Sequence, residues 1–562
     1  MRVELAMDEP GAVAPSPPRR RFRRLDRFDL ALLTVFGMVS LWVLALDAWQ
    51  VVGHGRIWTG TDGVYIVDQL QYLAWIRDAS RHLFASNLFV LRPTPADYFQ
   101  PAVALSGGLS ALGVVPWLTL LLWKPVAVGG CFFAVRAYVR NSMTGLWSRR
   151  AALTLALFFA SFTVLYGKLT VLGDLFPAFL SWGYTFALLA IAAIVAALVA
   201  YGRARDRQRL SYIPALLGAL ASMLHPWQGE LLILILIGAE MALWRRRGRP
   251  ALALPVLTLI GTGLPLLYYL VLGHLDLSWQ LARQASKHSF SIWPILIYIA
   301  PLLLPALFAY RRPIRGFLDA ATRSWPIASF VVFVLSVTAA GASPLHAFAG
   351  ITIPLAVLAV QGVQTEPFLS VVRRLQTARL RGRGQRRTIA LAIVALAIVP
   401  GAVYQLNLAR QLALPTRDNA NFIDRDERNA LDYLADRKEP GGVLTRSYLG
   451  ALVPSRTGRH TLVGDCLWSE PECLKRGVVA KRLFAGTLGP RNAKLFVRRS
   501  GARFLLADCK TQVDLPRVLG SMVVGVKQFG CASVVEVDAP GPPTGPLADL
   551  RADAVVRAPR GK

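Results

Sequence analysis

The sequence predicts an α-helical polytopic membrane protein with about eleven transmembrane helices, followed by a C-terminal α/β domain outside the cytoplasm. Three observations predict it. Of the 562 residues, 54% are hydrophobic and only 17% charged, and the apolar residues come in blocks of roughly 17 to 25, the length needed to cross a bilayer. The arginines cluster between these blocks. Four of the five cysteines fall after the last of them.

Residues 1–27 are polar, Pro-rich and then basic, and read as a disordered cytoplasmic tail. Phe28–Val51 is too long for a signal-peptide core and has no small-residue cleavage site after it, so it is the first span. With the arginines inside, the chain emerges on the outer face near Gly53. The next region threads in two ways. Short spans over Ala102–Leu122 and Pro125–Val139 would put Arg140, Arg149 and Arg150 outside and invert every later loop. A surface segment at Ala102–Leu112 with a second span at Val114–Tyr138 instead leaves four later arginine clusters inside, at 203–209, 245–249, 311–315 and 373–387. The positive-inside rule selects this second threading. The remaining spans are Ala151–Tyr166, Phe176–Tyr201, Tyr212–Pro226, Leu231–Trp244, Ala251–Leu272, Ile292–Tyr310, Trp325–Ala340, Ile351–Val363 and Ile389–Leu406. A transmembrane unit thus covers residues 28–407, with the N-terminus inside. The net charge of +30 would suggest nucleic acid on a soluble domain; here the inside loops account for it and no nucleic-acid partner is expected.

Residues 408–538 have the pattern of a small soluble α/β module. Glu427–Asp436 reads as a helix, and Gly442–Thr445, Arg503–Ala507 and Ser533–Val537 as strands. Cys466, Cys473, Cys509 and Cys531 all lie here, which implies two disulfides and an oxidising compartment. Three pairings exist, and the sequence-local one, Cys466–Cys473 with Cys509–Cys531, is expected. A zinc site is the alternative, though no CxxC pair is present. Residues 539–562 read as a disordered Pro-, Gly- and Arg-rich tail.

The threading gathers a short list of polar groups on the outer face. The first loop gives Asp62, Asp68, Gln71, Tyr72, Tyr98 and Gln100, and the second gives Lys168 and Asp174. The end of the fifth span gives His225, Trp227 and Gln228. Later loops give Arg283, Lys287, His288 and His346. Lys124 falls inside the second span. An ionisable group at membrane depth costs roughly 2.5–3.5 kcal/mol, so each needs a reason. Asp68, Tyr72 and Trp75, spaced i, i+4 and i+7, share one face of a helix whose apolar side would rest on the membrane. Structural readings compete. Asp68 could be an N-cap with Gln71 at N3, Asp174 could cap a span, and Asp62 in Thr61-Asp62-Gly63 suits a turn. Lys124 could pair with a neighbouring helix, and Arg283 could belong to a solvated loop face.

These residues resemble the GT-C superfamily of membrane glycosyltransferases, which includes protein O-mannosyltransferases, lipid A aminoarabinose transferases and mycobacterial mannosyl- and arabinosyltransferases. The resemblance rests on Asp68 with Tyr72 four residues on, on Tyr98-Phe99-Gln100-Pro101, and on Asp174 in the second outer loop. It implies transfer of a sugar from a polyprenyl-phosphate carrier to an envelope glycan, lipid or protein acceptor, at the outer face of a bacterial plasma membrane. The carrier phosphate is already a good leaving group, so what is needed is a base for the acceptor hydroxyl and cations for the phosphate. Asp68 and Asp174 are then the catalytic carboxylates. Gln71, Tyr72, Tyr98, Lys124, Lys168, His225, Gln228, Arg283 and His346 are the substrate contacts. No cofactor is required by this chemistry. A divalent metal is compatible with the family, but Gln69 stands where many members have a second acid. A lipid transporter or flippase would instead show mid-membrane polar groups and a repeat. A polyprenyl-linked glycan polymerase or ligase would show a long central outer loop.

Overall fold

A computed structural model describes residues 25–62, 64–160, 175–247, 252–286, 290–337, 343–368, 370, 383–414 and 420–538. Among them nine helices are long and apolar enough to cross a membrane: Arg27–His54, Pro116–Ser142, Thr185–Asp206, Pro226–Trp244, Ala253–Leu275, Ile292–Ala309, Phe317–Leu335, Pro344–Gly362 and Leu391–Gln411. The chain is a multi-pass membrane protein. Two of the expected eleven spans are not in this set. Leu146–Phe158 and Ile213–Leu224 have 13 and 12 residues, about 20 Å at 1.5 Å per residue, against a hydrocarbon core of about 30 Å. The second stops because His225 is extended (φ −157, ψ 97) and Pro226 opens the next helix, where its missing N–H costs nothing. The rest of the expected Ala151–Tyr166 span runs into residues 161–174, outside the described residues, as are most of both terminal tails.

Burial sorts the spans. Thr185–Asp206 and Pro344–Gly362 have 78% and 89% of their apolar windows enclosed by protein, whereas Arg27–His54 and Leu391–Gln411 have 22% and 11%. The first two therefore form the centre and the last two face lipid. Small residues permit the central approach: a Cβ on Gly362 would lie 1.9 Å from the Pro305 carbonyl oxygen. Pro101–Ala111 is a short apolar helix opened by Pro101 after extended Gln100, in the place expected for a surface segment.

The C-terminal part carries a four-stranded sheet in the order β3-β4-β6-β5, of Val443–Leu444 (β3), Phe504–Ala507 (β4), Ala532–Val537 (β6) and Val523–Phe529 (β5). β3 and β4 are parallel and the other pairs antiparallel. The disulfides are Cys466–Cys473 and Cys509–Cys531, the sequence-local pairing. This part is bound tightly to the loop that follows the first span. Ile57–Trp58 (β1) pairs antiparallel with Phe422–Ile423 (β2), Thr461 N donates to the Leu88 carbonyl at 2.9 Å, and the helix Ser447–Thr457 packs on Ile66–His82. One continuous apolar core runs from the membrane helices through this contact.

Candidate active site

The helix Ile66–His82 carries the centre. It is opened by Tyr65 in the left-handed region (φ 54), so Asp68 is not its N-cap and the capping reading is corrected. Asp68 instead sits in the first turn, where the helix dipole favours a carboxylate. It is half-buried. Its Oδ2 accepts a hydrogen bond of 2.7 Å from the hydroxyl of Tyr184, the residue before the central helix Thr185–Asp206.

Tyr184 begins a track of rings. It lies 4.2 Å from Tyr65 and 6.2 Å from His346. His346 in turn lies 4.9 Å from His225 and 4.6 Å from Trp227. His225 and Trp227 flank the break between the helices Ile213–Leu224 and Pro226–Arg247, where the backbone of His225 is extended. Beside them Gln228 is wholly buried with neither amide atom hydrogen-bonded, and the Nδ1 of His225 has no partner. Buried polar atoms left open in this way fit a bound polar group.

On the other side of Asp68, Tyr72 meets Trp75 at 5.6 Å and Phe186 at 4.8 Å. Burial, and after it the Asp68 charge, raises the Tyr72 phenol above its usual range. Trp75, Tyr98, Trp279 and Trp468 close a box with neighbouring centroids 4.3 to 5.2 Å apart. A narrow cleft beside it is lined by Asp97 and Asp276, and the Asp97 carboxyl is pushed up to about 6 by burial and then by Asp276.

Asp465, from the C-terminal part, is the residue that the sequence reading missed. It is 5% exposed. Its Oδ1 accepts from Leu467 N at 2.9 Å, while its Oδ2 has no partner. Burial first, and then the charge of Asp68, push its carboxyl up to about 7. The turn that holds it is closed by Cys466–Cys473 and docked by Trp468, whose carbonyl accepts from Asn87 Nδ2 at 3.0 Å. The folded chain holds this proton more tightly than an unfolded chain does, so the contribution of Asp465 to stability is fully present below about pH 4 and is lost as pH rises towards 7. Asp465→Asn is therefore expected to raise Tm at pH 8 and leave it unchanged at pH 4. A variant that melts lower than the parent at pH 8 contradicts this.

Other expected contacts fall differently. Lys124 is buried and ion-paired to Asp62 at 2.5 Å, and it also donates to the carbonyls of Ser40 (3.3 Å) and Ser181. An ammonium has three protons, and all three are engaged, so Lys124 is corrected from phosphate contact to structural charge. Asp62, between bends at 60–61 and 64–65, is its buried partner and is held by Gln69. Arg283 is exposed on the helix Leu277–Ala285, one turn past Trp279. Gln71 is buried. Asp174, Lys168, Lys287 and His288 lie outside the described residues. No trio of His, Cys, Asp or Glu ligand atoms gathers around Asp68 among the described residues, and both trios found elsewhere include a disulfide cysteine. The described residues around Asp68 do not make up a metal site.

No family model matches the sequence, and no curated protein matches it. Solved structures do. The oligosaccharyltransferase of Archaeoglobus fulgidus, tethered with an acceptor peptide containing the NVT sequon, aligns at TM-score 0.52 and 12% identity, over 89% of this chain and 72% of that one. Arabinofuranosyltransferase AftD from Mycobacteria aligns at 0.50 and 17%, over 91% of this chain and 42% of AftD. ArnT from Cupriavidus metallidurans, bound to undecaprenyl phosphate, aligns at 0.48 and 14%, over 91% and 99%. The likeness at these identities is one of fold.

Proposed function

With the fold of the GT-C membrane glycosyltransferases as the premise, we propose that this chain is a membrane glycosyltransferase that moves a sugar from a polyprenyl-phosphate carrier to an envelope glycan, lipid or protein. Asp68 is the base. It takes the proton of the acceptor hydroxyl as that oxygen attacks the anomeric carbon, and the carbon–oxygen bond to phosphate breaks with its electron pair leaving on polyprenyl phosphate. The observation that carries this reading is the placement of Asp68: half-open, oriented by Tyr184, at the junction of a ring-lined track and an aromatic box.

The two sides suit two substrates. His225, His346 and Gln228 offer donors at the ends of spans, where a lipid-borne phosphate lies. The box of Trp75, Tyr98, Trp279 and Trp468 is a packed aromatic wall that fixes the acceptor side of the cleft. Burial and then the Asp68 charge push the Asp465 carboxyl up to about 7, and in its protonated form it can donate a hydrogen bond to the acceptor. In this reading the site and the C-terminal module face outwards, residues 28–407 form the transferase unit, and 408–538 complete its cleft.

The test is transfer in proteoliposomes from a panel of labelled polyprenyl-phosphate sugars to an envelope extract. Label is expected to move from at least one lipid donor and from no nucleotide sugar. Transfer from nucleotide sugars alone overturns the reading.

A further inference from the structure

The helix Trp123–Ser142 ties the two faces of the bundle together by ion pairs. Lys124 near its start pairs with Asp62 in the first loop, and Arg140 at its end pairs with Asp29, 16 residues or about 24 Å further on. At the Arg140 end, away from Asp68, a cavity of about 380 Å³ opens between helix ends. It shares no residue with the site described above. Six arginines line it, Arg140, Arg149, Arg203, Arg312, Arg315 and Arg323, against two carboxylates, Asp206 and Asp319.

Positive loops at a membrane face need only lie near it; they need not converge. Here they do. The guanidinium groups of Arg149, Arg312 and Arg315 have no carboxylate partner among the described residues, though the backbone N–H of Arg315 donates to Asp319 Oδ2 at 2.9 Å. Arg149 Nε donates to the Met143 carbonyl (2.6 Å) and Arg312 Nη1 to that of Gln361 (3.4 Å). Arg323 is 8% exposed; it gives Nη1 to the Arg312 carbonyl (2.7 Å) and Nη2 to Asp319 (3.3 Å), and leaves Nε without a partner. The helices Leu146–Phe158 and Phe317–Leu335 both begin on this cavity, at Gly145 and Gly316, and neither has a side-chain cap. Their first N–H groups and dipoles add to the same sign of potential. Such a concave gathering of like charge is relieved by an anion with several oxygens, which guanidinium forks and helix starts recognise together.

We propose that this cavity is a binding site for a phosphate-bearing anion, supplied either as an anionic phospholipid headgroup or as a soluble diphosphate. The volume accommodates two phosphate groups. The test uses the full chain purified in detergent, with inorganic pyrophosphate followed by calorimetry and cardiolipin against phosphatidylcholine followed by native mass spectrometry. At least one of the two anionic probes is expected to bind saturably, with phosphatidylcholine not retained. R312Q/R315Q is expected to weaken that binding at least tenfold. Asp206→Asn, which removes one of the two opposing charges, is expected to tighten it severalfold, a gain that misfolding does not produce. Binding by cardiolipin alone assigns the site to a lipid headgroup, and binding by pyrophosphate alone to a soluble anion. The proposal falls if neither probe saturates, if R312Q/R315Q binds as the parent does, or if Asp206→Asn binds no tighter.

Discussion

Asp68→Asn is expected to lower the rate of sugar transfer by about 10²–10⁴-fold, the range contributed by a positioned general base. The amide keeps the size of the side chain, and its carbonyl still accepts the hydrogen bond from Tyr184. What it loses is the ability to take a proton. The fall therefore belongs in kcat, with KM for the lipid donor and the melting temperature near those of the parent. The measurement is initial rate in proteoliposomes at saturating donor. Retention of more than a tenth of the parent rate removes Asp68 as the base. Loss of donor affinity with an intact kcat makes it a binding residue instead.

The second large effect is on stability. Lys124→Met leaves the buried Asp62 carboxylate without its cation and held only by Gln69, and breaking a buried pair in this way costs about 3–5 kcal/mol. Asp62→Asn combined with Lys124→Met removes both charges and is expected to regain much of the loss. Thermal unfolding in detergent reads both variants. If Lys124 held the donor phosphate, the single variant would melt like the parent and show a raised KM. The contrast separates the two roles cleanly, because Gln69 and the carbonyls of Ser40 and Ser181 fix the pair from both sides.

The sequence reveals the membrane spans because a bilayer imposes a length that an apolar run either meets or fails. It places the end of Tyr212–Pro226 two residues late. Hydropathy measures how apolar a run is, but the helix stops at Leu224 because His225 is extended and Pro226 opens the next helix. In the C-terminal part β3, β4 and β6 are visible as apolar runs, whereas β5 is mostly outward-facing, with Gly525, Lys527 and Gln528 in its middle. The candidate site divides in the same way. Asp68, His225, Gln228 and His346 stand out as polar groups beside apolar blocks. Tyr184 is hidden at the edge of such a block, and Asp465 and Trp468 sit in a different module with no spacing that ties them to Asp68. Asp62 and Lys124 were each visible, yet their pairing joins a loop to a helix 62 positions later, a relation that periodicity does not carry.

The docking of the Cys466–Cys473 turn on the first loop has a consequence for how the molecule is made. Asn87 and Trp468 are 381 residues apart in the chain, and contacts of such separation form late because closing the intervening length must come first. A growing chain thus displays Asp68 long before it has Asp465 or the fourth wall of the aromatic box. Competence arrives only when the last module has folded against the first loop. An arrested or truncated chain therefore bears Asp68 without the C-terminal contacts that enclose it.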